Sequence, residues 1–193
     1  MRHRLFTRIV TLVLASYVAL PAAAHGAGPA KSSTAACASA QTEVVAATIA
    51  KANSATLCLL NRERAARDLS PLKLDRRLSG SAVAHSRDMV RRGYFEHDSP
   101  DGRSPFQRML ATSYVPKGAS WTLGENIGWG TLSLAQPAAL VRAWMKSPAH
   151  RANILNPRFR EIGIGIAVGV PLADPSLDGQ AGATYTTDFG RHS

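Results

Sequence analysis

The chain has 193 residues, 45% hydrophobic and 19% charged, which suits one globular domain and excludes a disordered tail, a collagen-like repeat and a coiled coil. Lysine and arginine number 23 against 13 acidic residues, a net charge of +10. No base-reading motif accompanies that surplus, so no specific nucleic-acid partner is expected, whereas salt-sensitive association with anionic cell-envelope polymers or lipid head groups is compatible with it.

The amino terminus reads as a secretory signal peptide. Arg2, Arg4 and Arg8 precede an apolar run over 9–20, and Ala22, Ala23 and Ala24 follow it. The run is too short to serve comfortably as a permanent membrane span. Cleavage after Ala24, or alternatively after Ala27, removes three arginines and lowers the net charge to +7. The mature protein is therefore expected to be secreted, extracellular or periplasmic, and not integral to a membrane. Residues 25–40 read as a flexible lead-in and 41–193 as the folded domain. Cys37 and Cys58 are the only cysteines. In an exported chain such a pair reads as a disulfide, worth about 3 kcal/mol through the loop it closes.

A helical pattern runs over 41–68, with an interruption expected near Asn53, and Ser70-Pro71 breaks it. Leu72 and Leu74 follow as a short extended piece. A second helix is predicted over 75–92, where Leu74, Leu78, Ala82, His85 and Met89 share a face and Gly93 supplies the C-cap. Ser99-Pro100-Asp101-Gly102 signals a turn. Short helices are predicted over 105–111 and 137–146, separated by an extended segment at 123–130. Ser147-Pro148 resembles an N-cap followed by proline at the first helical position, which places His150 in the first turn of another helix. Over 162–170 the period changes to two, with Ile162, Ile164, Ile166, Val168 and Val170 alternating with small residues, mostly glycine. That strand is expected to bury its bulky face and to let something approach its glycine face closely. A last strand fits 183–189. Helices first and strands last argue for an α+β domain with a small antiparallel sheet.

The usual hydrolase, nucleotide and calcium motifs are absent. The remaining chemistry lies in His97, on a loop; Glu125, in Gly124-Glu125-Asn126-Ile127; and His150, in Ser147-Pro148-Ala149-His150. Imidazole and carboxylate are zinc-type ligands, and two histidines with one glutamate leave a tetrahedral ion an open position for water. The same side chains also fit a purely hydrogen-bonded set that holds loops together. Asp98 and Ser99, beside His97, and Asn126, beside Glu125, are candidate partners of those two residues; alternatively Asn126 and Ser99 only satisfy loop backbone. His85, on an apolar helix face, reads as a buried, hydrogen-bonded core histidine, and His192 reads as part of a frayed end.

Six segments in order resemble the CAP superfamily, which comprises cysteine-rich secretory proteins, antigen 5 and pathogenesis-related-1 proteins. They are Leu59-Leu60-Asn61-Arg62-Glu63-Arg64 with Pro71-Leu72; His85-Ser86-Arg87-Asp88-Met89; the Tyr94–Gly102 loop; Gly124-Glu125-Asn126-Ile127; Trp144 to Leu155; and Glu161–Gly165 with Tyr185–Gly190. The long Ser-Pro-Ala-His-Arg motif points to bacterial members. The resemblance implies an α-β-α sandwich with a central antiparallel sheet between helical layers, and a cleft in which His97 and Glu125 correspond to family site residues. The family's second histidine has no counterpart in Thr184-Tyr185-Thr186-Thr187-Asp188. His97, Glu125 and His150 are the expected ligands of Zn2+ or another divalent cation. The implied function is a secreted binding module for lipid or envelope ligands. The alternative is a metal-assisted peptidase or esterase with Glu125 as general base.

Overall fold

The computed structural model describes residues 37–172, 175–177 and 179–193; the expected signal peptide, His25 and most of the lead-in lie outside them. A 3-10 helix at Ala46–Thr48 leads into α1 (Ile49–Ala65), which buries Ala52, Ala55, Thr56, Leu60 and Arg64 along one stripe. The expected break near Asn53 does not occur. The Cys37–Cys58 disulfide forms, with Cα atoms 5.8 Å apart, and ties the incoming chain to the middle of α1.

Asn61 and Arg64 explain why polar residues recur on the buried side of this helix. Asn61 exchanges two hydrogen bonds with the backbone of Leu72. Arg64 is fully buried and donates to the carbonyls of Ser70, Ile154, Asn156 and Phe159, so one guanidinium serves four backbone acceptors. Burial lowers its pKa, and Arg160 lowers it further.

A two-residue strand, β1 (Lys73–Leu74), precedes α2 (Arg76–Arg92). Asp75 caps α2 by accepting from Arg77 N and Leu78 N, and Gly93 ends it at φ 68°, a left-handed conformation that glycine adopts without a Cβ penalty. Ser104 and Gln107 form a capping box at the start of α3 (Pro105–Ala111). Then come β2 (Trp121–Thr131), α4 (Pro137–Lys146), α5 (Pro148–Ile154), β3 (Glu161–Val168) and β4 (Gly182–His192).

The sheet order is β1-β3-β4-β2. The three long strands are antiparallel as expected, but β1 joins β3 in parallel, so the sheet is mixed. Leu74, expected on the buried face of α2, belongs to this edge strand and is 53% exposed. One sheet face carries Ile162, Ile164, Ile166, Tyr185 and Phe189 against α1, α4 and α5, forming the main core. The other faces α2 and α3, with a smaller cluster of Leu78, Met109, Tyr114 and Leu123. Helices on both faces give the expected layered α+β architecture.

The glycine face of β3 is where α2 lies. A Cβ on Gly163 would stand 2.1 Å from the Leu78 carbonyl carbon, and one on Gly165 2.2 Å from that of Ala82. His192 is not frayed: it pairs with Trp121 on β2 and stands edge-on to Tyr114, ring centroids 5.1 Å apart.

Candidate functional site

Successive residues of a strand point to opposite faces, and this divides the expected site. Glu125 of β2 points toward α2 and α3. Its neighbour Asn126 points toward α5, where it donates to the His150 carbonyl at 3.1 Å and accepts from Asn153 at 2.9 Å. Asn153 also donates to the Glu125 carbonyl. Asn126 and Asn153 therefore clamp α5 onto β2 by their side-chain amides.

On the α2–α3 side, His97 from the loop after α2 meets Glu125, Nδ1 to Oε1, at 2.8 Å. Arg108 of α3 donates to the second oxygen, Oε2, at 2.7 Å. The same guanidinium donates to Ser99 Oγ and to the Arg103 carbonyl. Side-chain exposure is 51% for His97, 2% for Glu125 and 7% for Arg108. A buried carboxylate thus sits between a buried cation and a half-exposed imidazole. The hydrogen bond to Glu125 outweighs partial burial and raises the His97 pKa above the ordinary histidine value.

His150 arrives from the opposite layer. Because β2 is an edge strand, residues from both layers can meet around it; burial first, and the charge of His97 second, lower the His150 pKa. His85 is buried, with Nε2 3.1 Å from the Glu96 carbonyl, and burial lowers its pKa. It is a hydrogen-bonded core histidine.

Arg108 and Asp188 belong to the site without any local signal in the sequence. Arg108 stands in a short helix beside the core residue Met109, where an arginine ordinarily reads as surface. Asp188 closes the motif in which the family's second histidine is missing. In the register of the sheet it lies directly opposite Glu125, and it is fully buried. Burial first, and the Glu125 carboxylate second, push its pKa well above the ordinary carboxyl value. Ser81 and Glu125 are its polar neighbours, yet neither of its oxygens makes a well-formed hydrogen bond among the described residues.

The donor set bears on a divalent ion. His97 and Arg108 already take the two oxygens of Glu125, and the Arg108 charge stands where it would oppose a cation. Among the described residues no three His, Cys, Asp or Glu side chains are grouped to hold a metal. The arrangement is a hydrogen-bonded His–Glu–Arg chain, which does not fit a preassembled metal centre.

The order of elements and motifs is that of a known family: the model for CAP, the cysteine-rich secretory protein family, matches residues 57–171. The chain belongs to the CAP family. It is 46% identical over 107 residues to the uncharacterized protein YkwD of Bacillus subtilis (strain 168), a match covering 55% of this chain and 39% of YkwD. It is 33% identical over 110 residues to the uncharacterized membrane protein YlbC of the same organism, covering 57% of this chain and 30% of YlbC. The matches thus span well under half of either relative. Among solved structures, an SCP-domain extracellular protein of Bacillus anthracis str. Ames superposes with a TM-score of 0.55 at 26% identity, over 75% of this chain and 44% of that one. An outer surface protein of Borrelia burgdorferi gives the same TM-score at 19% identity, over 71% and 90% of the respective chains, and shares the fold. Among the described residues of this CAP chain, no helix is long and apolar enough to cross a membrane.

Proposed function

We propose that this CAP domain is an extracellular binding module, and that the exposed edge of His97, set on the buried Glu125–Arg108 pair, is its polar recognition point for cell-envelope ligands. The observation that carries this reading is the fixed orientation of the ring. Glu125 holds Nδ1, Arg108 holds Glu125, and the outer half of the imidazole faces solvent. A ring held in this way loses little conformational freedom when a ligand binds, which favours recognition. The nearest hydroxyl of the network, Ser99 Oγ, accepts from Arg108, and among the described residues it is not paired with a base. An SCP-domain relative that is extracellular supports the location.

The test is retention of the mature protein on isolated envelope polymers and on lipid vesicles, comparing wild type with His97→Ala. Retention that the variant loses by about tenfold supports the reading; equal retention of both overturns it. One observation favours a second reading. A carboxylate on Nδ1 and an exposed ring is also how a general-base histidine is held, with Nε2 free to take a proton from water. Glu125 itself is too buried to act as that base. Turnover of an ester or peptide substrate without added metal, abolished by His97→Ala, would establish hydrolysis.

A further inference from the structure

Beside this network, a cavity of about 440 Å³ opens between α2 and α3, large enough for a small-molecule ligand. Arg87 and Arg91 project from α2 one turn apart, Arg103 comes from the turn before α3, and Arg108 comes from α3 itself; His85 and Asp88 also line it, with the hydroxyls of Ser81, Ser99 and Thr112. We propose that this cavity binds a phosphoryl anion carrying two or more charges, such as a diphosphate or a phosphate monoester.

The charge balance supports that class of ligand. Asp88 pairs with Arg91 at 2.5 Å and Arg92 at 3.3 Å, Asp101 with Arg103 at 2.8 Å, and Glu125 with Arg108 at 2.7 Å. Four lining guanidiniums, counting Arg87, therefore face three carboxylates, an excess of one positive charge, which Arg87 carries. The Arg87 side chain makes no hydrogen bond or ion pair among the described residues. The acids also act as props. Asp88 accepts from the Tyr94 hydroxyl as well as from both arginines, so it is neutralised and holds Arg91 toward the cavity. Guanidinium forks match phosphoryl oxygens in pairs, and several forks around one cavity distinguish a multiply charged anion from chloride.

The cavity shares Arg108 and Ser99 with the His97 network, but the proposal does not depend on envelope binding through His97. Inorganic pyrophosphate is the probe, titrated calorimetrically into the folded protein at low salt, with thermal melts checking each variant. Wild type should bind saturably. Arg87→Ala with Arg91→Ala should weaken binding tenfold or more. Gly80 lines the cavity and has no atom within 4 Å of where a Cβ would stand, so Gly80→Leu fills the space without changing charge and should abolish binding. Arg62→Ala with Arg142→Ala removes equal charge from exposed sites on α1 and α4 and should leave binding within twofold of wild type. The absence of saturable binding by folded wild type, equal weakening by both arginine pairs, or wild-type affinity in Gly80→Leu overturns the proposal. Phosphatidylcholine vesicles carrying phosphatidic acid separate the sources. Co-sedimentation lost in the Arg87/Arg91 variant assigns a lipid head group, whereas pyrophosphate binding without co-sedimentation assigns a soluble phosphate ester.

Discussion

Strands β3 and β4 lie side by side beneath α2, and they meet it in opposite ways. Beneath β3 the contact is backbone on backbone: Gly163 and Gly165 leave no room for a side chain between strand and helix. Beneath β4 it is polar. Ser86 donates to the Thr186 hydroxyl at 2.8 Å, while Ser81 lies near the buried acid Asp188. One row across the sheet, Gly163–Asp188–Glu125, runs from the first kind of contact to the second. Close packing on glycine sets how deeply α2 sits. That depth encloses the two carboxyl groups and makes Arg108 necessary. The dry strand shapes the site, and the polar side, Asp188 on β4 with Glu125 beyond it on β2, holds its carboxyl groups.

The most direct way to break the comparison is to fill the dry side. Gly165→Val would drive a branched side chain into the Ala82 backbone, and backbone cannot swing aside as a flexible side chain can. A loss of about 4 kcal/mol, or failure to fold, is expected. Urea unfolding measures it, and a midpoint near that of wild type would show that α2 can lift off the sheet at little cost.

On the wet side, Arg108→Ala leaves Glu125 buried with only a partly exposed histidine. Removing one partner of a buried ion pair costs about 3 kcal/mol, and Arg108→Lys should restore only part of it, because one ammonium cannot hold Glu125, Ser99 and the Arg103 carbonyl together. Equal stability of wild type and Arg108→Ala would mean that solvent reaches Glu125. The same pair of variants sharpens the metal question. If Arg108 is what opposes a cation, Arg108→Ala should take up zinc more readily than wild type in equilibrium dialysis.

The difference between the two strands also separates what is legible in the sequence from what is not. The alternation of Ile162, Ile164 and Ile166 with glycines announces both a strand and a close neighbour, because period and residue size are local properties. The Gly93 cap and the Ser147-Pro148 helix start are local in the same sense, although the Ser147 side chain makes no capping hydrogen bond. The parallel pairing of β1 with β3 and the opposition of Glu125 to Asp188 depend on register between segments far apart in the chain, which no local pattern encodes. His97 and Glu125 stand out because their residue types are unusual on a loop and in a strand. Arg108 does not, since an arginine looks alike in sequence whether it faces water or a buried carboxylate. Asn126 adjoins Glu125 in the sequence, but strand alternation sends it to the other face.

Asp188→Asn tests the shared row without changing its shape. The folded protein raises the Asp188 pKa, so it holds a proton that the unfolded chain releases above about pH 4. Wild-type stability should therefore fall as pH rises from that point toward the raised value, by up to about 1.4 kcal/mol per pH unit, and asparagine should remove this slope. Parallel stability–pH curves for the two proteins would show that Asp188 is ionised in the fold.

The two histidines at the edge of β2 give the smallest effect and the finest distinction, because their shifts are opposite in sign. His97 holds its proton more tightly when folded, so its contribution is complete below about pH 6.5 and fades as pH rises through its raised value. His150 holds its proton less tightly, so its contribution is complete above about pH 6.5 and fades as pH falls through its lowered value. Both rings are partly exposed, which limits each effect to under about 1 kcal/mol. His97→Gln should flatten the alkaline side of the stability profile and His150→Gln the acid side. If His97→Gln also shifts the His150 titration upward by NMR, the two rings meet around the sheet edge as one electrostatic unit; an unmoved His150 would separate them into two independent sites.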